Sequence, residues 1–180
     1  MQKSTVKNLT VTSLLIAIGI IIPMVSPLKI VIPPASYTLA SHVPIFIAMF
    51  ISPRTSVAVS IGCAFGFLLG GFMPTIVFRA LSHVVFAYIG AKYLEKKDYK
   101  LTGSQLLLFS LVIGIIHAIG ELLVVVLLFF GNTDTNVYGD NFISSIMLLV
   151  GLGTIAHSMI DFKISTYIRS FLIKQKLLTP

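Results

Sequence analysis

Residues 104–130 read SQLLLFSLVIGIIHAIGELLVVVLLFF, and within this stretch only His117 and Glu121 carry ionisable groups. As a helix the stretch is about 40 Å long, more than the roughly 30 Å of a bilayer's hydrocarbon core. A helix that is apolar on nearly every side belongs in a large protein core or in a membrane. The stretch therefore predicts a transmembrane helix that carries two polar groups.

Five further apolar segments flank this stretch and are separated by Pro, Gly, Asn or charged residues. They lie at 9–27, 38–52, 54–73, 75–94 and 142–172. Of the 180 residues, 56% are hydrophobic and 11% are charged, against about 45–50% and 25% in soluble domains. The sequence therefore predicts an all-α membrane protein, a single domain over 1–180 built as a bundle of six transmembrane helices.

Positive charge is distributed unevenly among the connections. One set holds nearly all of it: Lys3, Lys7, Arg54, Lys96, Lys97, Lys100, Lys174 and Lys176. The alternate connections hold only Lys29. Because cytoplasmic loops are enriched in Lys and Arg, both termini are predicted in the cytoplasm (N-in, C-in). The net charge of +7 thus reflects topology and argues against a nucleic-acid partner.

Three pairs of ionisable residues lie four positions apart within predicted spans, so each pair shares one helix face. They are Arg79 with His83, His117 with Glu121, and His157 with Asp161. Ionisable groups inside a membrane are costly and usually face a partner or a polar cavity. With the orientation above, the first two pairs lie in the outer half of the bundle and can share one cavity that opens outward.

An arginine in such a cavity can hold a carboxylate through two parallel hydrogen bonds, so Arg79 is the predicted anion-binding residue. His83, His117 and Glu121 can bond hydroxyl or amide groups of the same ligand. Two interpretations stay open here. Arg79 and Glu121 form an ion pair that only joins two helices, or the pair also meets the ligand.

The predicted outer loops add polar residues at the rim of this cavity. The first loop supplies Lys29 and Tyr37, the start of the second span supplies His42, and Asn132 belongs to a polar loop at 132–141. Loops rich in Pro, Gly and Asn have defined shapes, and they also serve as plain connections. With these residues the predicted substrate site is complete.

His157 and Asp161 are predicted to lie deeper, towards the cytoplasm, as a structural pair or a contact with a partner subunit. A second hypothesis joins them with His117 and Glu121 in a proton relay, which would make the chain an autonomous carrier or channel. The sequence contains no GxSxG, HExxH, CxxC or Walker A motif. We therefore predict no enzyme activity, no metal site and no cofactor, and a solute-binding chain without a visible energy source requires partners.

The first predicted span carries Ser13 and Ala17, two small residues whose spacing lets another helix approach closely. The chain also has a basic N-terminus, a Pro-rich first outer loop, the polar loop 132–141 and the stretch Arg79-Ala-Leu-Ser-His83. With these features, essentially the whole chain resembles the S components of energy-coupling factor (ECF) transporters, the vitamin-binding subunits of such systems in Gram-positive bacteria. Members usually carry Ala-xxx-Ala where this chain has Ser13 and Ala17.

The resemblance implies a multi-pass plasma-membrane protein that binds a vitamin near its outer face. The implied partners are an EcfT-like transmembrane coupling subunit, which docks at Ser13 and Ala17, and two cytoplasmic ATPases that drive transport. Arg79, His83 and Lys29 favour an anionic vitamin. We predict pantothenate first and niacin next, because the polar loop 132–141 can serve the hydroxyls and the amide of pantothenate.

Overall fold

Helices make up most of the structure, as the sequence predicts. The computed structural model describes residues 2–32, 35–130 and 142–178. Its helices are α1 (Gln2–Val25), α2 (Val43–Met49), α3 (Pro53–Leu69), α4 (Pro74–Lys96), α5 (Gly103–Phe130), α6 (Phe142–Ser145) and α7 (Gly153–Lys174), with a π-helical segment at Ile146–Leu152 between the last two. Two strands, β1 (Lys29–Ile32) and β2 (Ala35–Thr38), pair as an antiparallel hairpin in the region predicted as the first outer loop.

Four helices of the described chain are long and apolar enough to cross a membrane. They cover Val6–Val25, Pro74–Lys96, Gly103–Leu128 and Ile146–Lys174. The apolar helix α3 is shorter. The helical class is thus confirmed, while the second of the six predicted spans differs from the prediction.

The predicted second span at 38–52 is not one helix. Only α2 is helical there, and its seven residues extend about 10 Å. Ser52 then caps α3, because its Oγ accepts a hydrogen bond from the backbone N–H of Thr55 at 3.1 Å. Pro53 follows at the start of α3, where proline is favoured. Because the Ser52 cap and Pro53 start a new helix, α2 ends at Met49.

Strand β2 and α2 together nevertheless run along much of the bundle beside the last helix. At one end the Tyr37 hydroxyl donates to the carbonyl of Leu149. At the other, the Arg169 guanidinium lies 4.3 Å from the centre of the Phe50 ring. The helical stretch 149–169 between these contacts is about 30 Å long. A strand followed by a short helix therefore takes the place of the second transmembrane helix.

Both ends of the described chain lie at the same end of the bundle. Lys7 Nζ donates a hydrogen bond to the backbone carbonyl of Lys176 at 3.3 Å. The β1–β2 hairpin follows α1 directly, so it lies at the opposite end, about 30 Å away along that helix.

Glycines set the distance between α1 and α3. A Cβ atom added at Gly66 would lie 2.6 Å from both the Cα atom and the carbonyl oxygen of Ile20, and one at Gly62 would lie 2.7 Å from the Ile16 side chain. Small residues at such positions let two helix backbones pack directly against each other. Gly62 and Gly66 thus form an internal packing surface between α1 and α3.

Gly66→Ala is expected to destabilise the fold, because its methyl group meets the backbone of α1 and not a movable side chain. Overpacking of this kind typically costs about 1–3 kcal/mol. Gly103→Ala is the matched control, since a Cβ there has no neighbour within 4 Å. Thermal unfolding in detergent should show a lower midpoint for Gly66→Ala alone, and equal midpoints for the two variants would contradict the close approach.

Packed aromatic rings fill the half of the bundle nearer the chain ends. Phe46 lies at the centre, with ring centroids 5.3 Å from Phe162 and 5.8 Å from Phe86, distances typical of favourable aromatic pairs. Towards the hairpin end the interior becomes polar, beginning at His42 one helical turn before Phe46. The aromatic cluster of Phe46, Phe86 and Phe162 therefore separates the polar interior from the end of the bundle that holds the termini.

Candidate functional site

A small cavity lies where β2 and the turn before α2 meet α3, α4, α5 and α7. Its walls include all four histidines of the chain, His42, His83, His117 and His157, together with Arg79 and Glu121. The cavity volume is about 20 Å³, room for about one water molecule. The four histidines come from four different elements, so only the fold brings them together.

Glu121 is the centre of the first group of contacts. Its Oε2 atom accepts hydrogen bonds from Arg79 Nη2 and from Thr154 Oγ1, both at 2.6 Å. Its Oε1 atom lies 3.2 Å from His83 Nε2 and 3.3 Å from His117 Nε2. Arg79 and Glu121 are only 2% and 5% exposed, so their charges compensate each other inside the protein.

Asp161 is the centre of the second group. It accepts hydrogen bonds from the backbone N–H groups of Ala40 at 2.8 Å and His42 at 3.0 Å, and from His42 Nδ1 at 3.0 Å. His157 Nε2 lies 3.5 Å away. Ala40 has φ of +67°, a conformation unfavourable for a residue with a side chain. The buried carboxylate thus holds the turn that ends β2.

His42 joins the two groups. Its ring centroid lies 4.7 Å from that of His83, 4.6 Å from that of His117 and 5.0 Å from that of His157. Each of these contacts is edge-to-face. The two buried carboxylates are therefore linked through a continuous layer of imidazole rings.

Several buried polar atoms in this region have no hydrogen-bond partner among the described residues. They include Ser36 Oγ, Thr38 Oγ1, His83 Nδ1, both ring nitrogens of His117 and His157 Nε2. The contact of His117 Nε2 with Glu121 is short enough for a hydrogen bond but has the wrong geometry. Buried polar groups are nearly always satisfied in proteins, so this set of atoms indicates a site for a polar ligand.

The fold brings together six of the eight residues predicted for the substrate site: Tyr37, His42, Arg79, His83, His117 and Glu121. Lys29 does not belong to this group, because its Nζ atom lies over the ring of Phe72 at 5.2 Å. Asn132, with the polar loop 132–141, lies outside the described residues.

His157 and Asp161 were predicted to lie deeper than this cavity, and that prediction is wrong. His157 lines the cavity, and Asp161 bonds His42 directly. The reason is the extended backbone of β2, which advances about 3.3 Å per residue against 1.5 Å in a helix. His42 is thereby carried down to the level of Asp161.

The hydroxyl groups of the cavity wall were not predicted from the sequence. Thr154 precedes His157 by three positions and so lies on the same helix face. It was nevertheless the least predictable of these residues. Ser36 and Thr38 alternate along β2, a spacing that places both on one side of a strand. That signal was hidden because the stretch was interpreted as a loop.

Comparison with known proteins finds similarity to a curated transporter. The niacin transporter NiaX of Lactococcus lactis subsp. cremoris (strain MG1363) is 37% identical over 177 residues, which is 96% of this chain and 78% of the relative. No family model and no solved structure matches the chain.

Proposed function

We propose that this chain, which belongs to the S components of energy-coupling factor vitamin transporters, captures niacin at the histidine-lined cavity for uptake into the cell. Because the cavity holds about one water molecule in this structure, its walls move apart to admit the vitamin. The buried polar atoms without partners carry the proposal: Ser36 Oγ, Thr38 Oγ1 and the His117 nitrogens face the same space. The similarity to a niacin transporter names the ligand. The chain is accordingly proposed as a binding subunit without enzyme activity.

Niacin replaces pantothenate, which the sequence analysis ranked first. That ranking depended on the loop 132–141, which lies outside the described residues, and both vitamins carry one carboxylate. Six residues of the cavity wall carry rings, Tyr37, Phe67 and the four histidines, and flat rings pack well against aromatic side chains. A pyridine ring suits these walls better than the flexible chain of pantothenate.

Arg79 is the proposed partner of the niacin carboxylate. Its guanidinium group lies in the cavity wall, donates to Glu121 through Nη2 and belongs to the side-chain type best suited to a carboxylate. The hydroxyl groups of Ser36 and Thr38 can donate to the same carboxylate. The ion pair and the ligand site are therefore compatible interpretations of one residue.

The cavity is proposed to face the outside, with both termini in the cytoplasm and six crossings, the second made by β2 and α2. Two observations support this orientation. The basic connections and the two chain ends share one end of the bundle, and Lys and Arg accumulate on the cytoplasmic side of membranes. The plasma membrane of a Gram-positive bacterium is the proposed location.

The proposed partners are an EcfT-like coupling subunit and two ATPases, with docking at one face of α1. Ser13 and Ala17 lie on the exposed side of that helix beside Leu14, Ile18 and Ile21, which are 57%, 46% and 51% exposed. The opposite side of α1 packs on α3. The small residues thus border an apolar surface that nothing covers in the described part of the chain.

Ala17→Leu is expected to abolish niacin uptake by the complete transporter while leaving niacin binding unchanged, because a larger side chain keeps a partner helix at a distance. Ala156→Leu is the matched control, an alanine on the exposed side of α7. Uptake of labelled nicotinate by cells, compared with binding to the purified chain, measures both effects. Normal uptake with Ala17→Leu would show that this face of α1 does not dock the coupling subunit.

An autonomous proton-coupled carrier is the second candidate function. It is favoured by the contact of the Glu121 and Asp161 groups through His42, which joins all residues of the proposed relay. Liposomes containing only this chain separate the two functions. We expect no nicotinate accumulation with or without a pH gradient, and gradient-driven uptake would favour the carrier.

Equilibrium binding to the purified chain tests the ligand. Labelled nicotinate is expected to bind at one molecule per chain, and an excess of unlabelled pantothenate or riboflavin should not displace it. Nicotinamide lacks the charge, and hydrogen bonds to charged groups contribute about 1.5–3 kcal/mol, so its affinity should be about 10–150-fold lower. Displacement by pantothenate at equal concentration would overturn the choice of niacin.

A further inference from the structure

We propose that His42, His83 and His117 bind a divalent transition-metal ion of the Zn²⁺ class, which offers an open coordination position to the carboxylate of the captured ligand. The second part of this proposal rests on the proposed function, whereas the first does not. One ring nitrogen from each of the three histidines lies within 4.8 Å of those of the other two. In a tetrahedral zinc site with bonds of 2.0–2.1 Å, such nitrogens are about 3.4 Å apart. Movements of about 1 Å in the three histidine rings are thus enough to bring their nitrogens to the spacing of a zinc site.

The hydrogen bonds of His42 and His83 have the arrangement that metal-binding histidines use. His42 Nδ1 is held by Asp161 at 3.0 Å and His83 Nε2 by Glu121 at 3.2 Å. A carboxylate on one ring nitrogen orients the other nitrogen towards a metal and raises its basicity. The remaining nitrogens are His42 Nε2 and His83 Nδ1, and the latter has no hydrogen-bond partner among the described residues.

His117 gives the most direct indication of an ion. The residue is 1% exposed, its Nδ1 atom has no hydrogen-bond partner in the described chain, and its Nε2 atom lies 3.3 Å from Glu121 Oε1. A buried ring nitrogen without a partner is costly. A metal ion would satisfy one of these nitrogens and leave the other near Glu121.

The alternative group His42, His157 and Asp161 also has ligand atoms within 4.8 Å of one another, but it is less suited to an ion. Asp161 already accepts three hydrogen bonds, from Ala40 N, His42 N and His42 Nδ1. Three of its roughly four lone-pair positions are thus engaged, whereas His83 Nδ1 and His117 Nδ1 have no hydrogen-bond partner in the described chain. The ion is therefore assigned to the three-histidine group.

The charge of the cavity explains what the ion contributes to capture of an anion. The ionised side chains of the described cluster are Arg79, Glu121 and Asp161, which sum to −1 when the imidazoles are neutral. A carboxylate that binds beside Arg79 therefore enters a cavity of net negative charge, because the two carboxylates outnumber the one guanidinium group. A divalent ion changes the sum to +1, and three histidines leave a fourth position open for ligand.

This site could not be recognised in the sequence. Metal motifs are identified by short spacings such as HExxH, whereas these three histidines come from the turn before α2, from α4 and from α5. The expectation of no metal followed from the missing motif.

The test uses the full chain, purified with a tag that contains no histidine and washed with a chelator. Titration with Zn²⁺, and with Co²⁺ as a coloured probe, should show one ion per chain and visible absorption bands of a tetrahedral Co²⁺ site. His83→Gln and His117→Gln should each weaken the affinity about 10–100-fold or more. His157→Gln should retain the ion. Absence of binding, or equal affinity in all three variants, would overturn the metal site.

Nicotinate binding to chelated and Zn²⁺-loaded protein tests the role of the ion in capture. We expect at least tenfold tighter binding with the ion present. Equal affinity in the two preparations would remove the ion from capture and leave the proposed function in place. Absence of nicotinate binding in both preparations would overturn the proposed function, while the metal titration would still decide on the site itself. The same titration on folded protein, checked by its unfolding midpoint, shows whether a glutamine variant lost the ion or its fold.

Discussion

Arg79→Met is expected to abolish nicotinate binding, with a loss of affinity of about 30- to 4,000-fold. The range corresponds to the roughly 2–5 kcal/mol that truncation of one partner in a buried, hydrogen-bonded charge pair costs. Arg79 is 2% exposed and lies in the wall of the cavity, so no solvent compensates a ligand carboxylate in its absence. Binding of labelled nicotinate to the purified variant measures the loss.

The single variant also leaves Glu121 buried without its counter-charge, which destabilises a protein by about 3–5 kcal/mol. The double variant Arg79→Met/Glu121→Gln is therefore the necessary control. It removes both charges, and its unfolding midpoint should return towards that of the unmodified chain while nicotinate binding stays absent. Recovery of binding in the double variant would show that Arg79 only joins α4 to α5.

Asp161→Ala is expected to be the most destabilising single substitution in the described chain. Its carboxylate accepts three hydrogen bonds and is fully buried, and each donor left without a partner costs about 1–3 kcal/mol. The turn at Ala40, with its positive φ, loses its support at the same time.

Thermal or denaturant unfolding in detergent measures this effect. Asp161→Asn keeps one carbonyl oxygen as an acceptor, so its loss should be smaller than that of Asp161→Ala. Glu95→Ala is the matched control, because its carboxylate is half exposed and pairs with Lys92 on the surface, where changes usually stay within about 0.5 kcal/mol. A midpoint for Asp161→Ala close to that of Glu95→Ala would contradict the structural role of the carboxylate.

Binding and docking are assigned to different elements of this fold. The cavity is built by β2, the turn before α2, α3, α4, α5 and α7, whereas Ser13 and Ala17 lie on α1, none of whose described residues lines the cavity. Variants of the two regions should therefore separate binding from transport. This separation is expected of a subunit that captures a solute and depends on partners for energy.

Hydropathy was sufficient to predict the long helices, because α4 and α5 are each apolar enough and long enough to be recognised alone. The second span could not be predicted in this way. Residues 38–52 are as apolar as a helix requires, and only tertiary contacts, chiefly the bonds of Asp161 to Ala40 and His42, stabilise the strand and turn instead.

The candidate site was predictable where its residues share one helix. The spacing of Arg79 with His83, and of His117 with Glu121, placed each pair on one face. The joining of both pairs to Asp161 was not predictable, because it depends on the depth of His42. The identity of the ligand could not be predicted either, since an arginine binds the carboxylates of niacin and pantothenate alike.

Extraction of the small molecule that co-purifies with the chain tests the central claim most directly. The chain and the Arg79→Met/Glu121→Gln variant would be purified identically from cells grown in medium that contains all water-soluble vitamins, and the extracts compared by mass spectrometry. We predict nicotinate in amounts approaching one molecule per chain, and its absence from the variant. Pantothenate or another vitamin in its place, or equal nicotinate in both extracts, would contradict the assignment of this cavity to niacin.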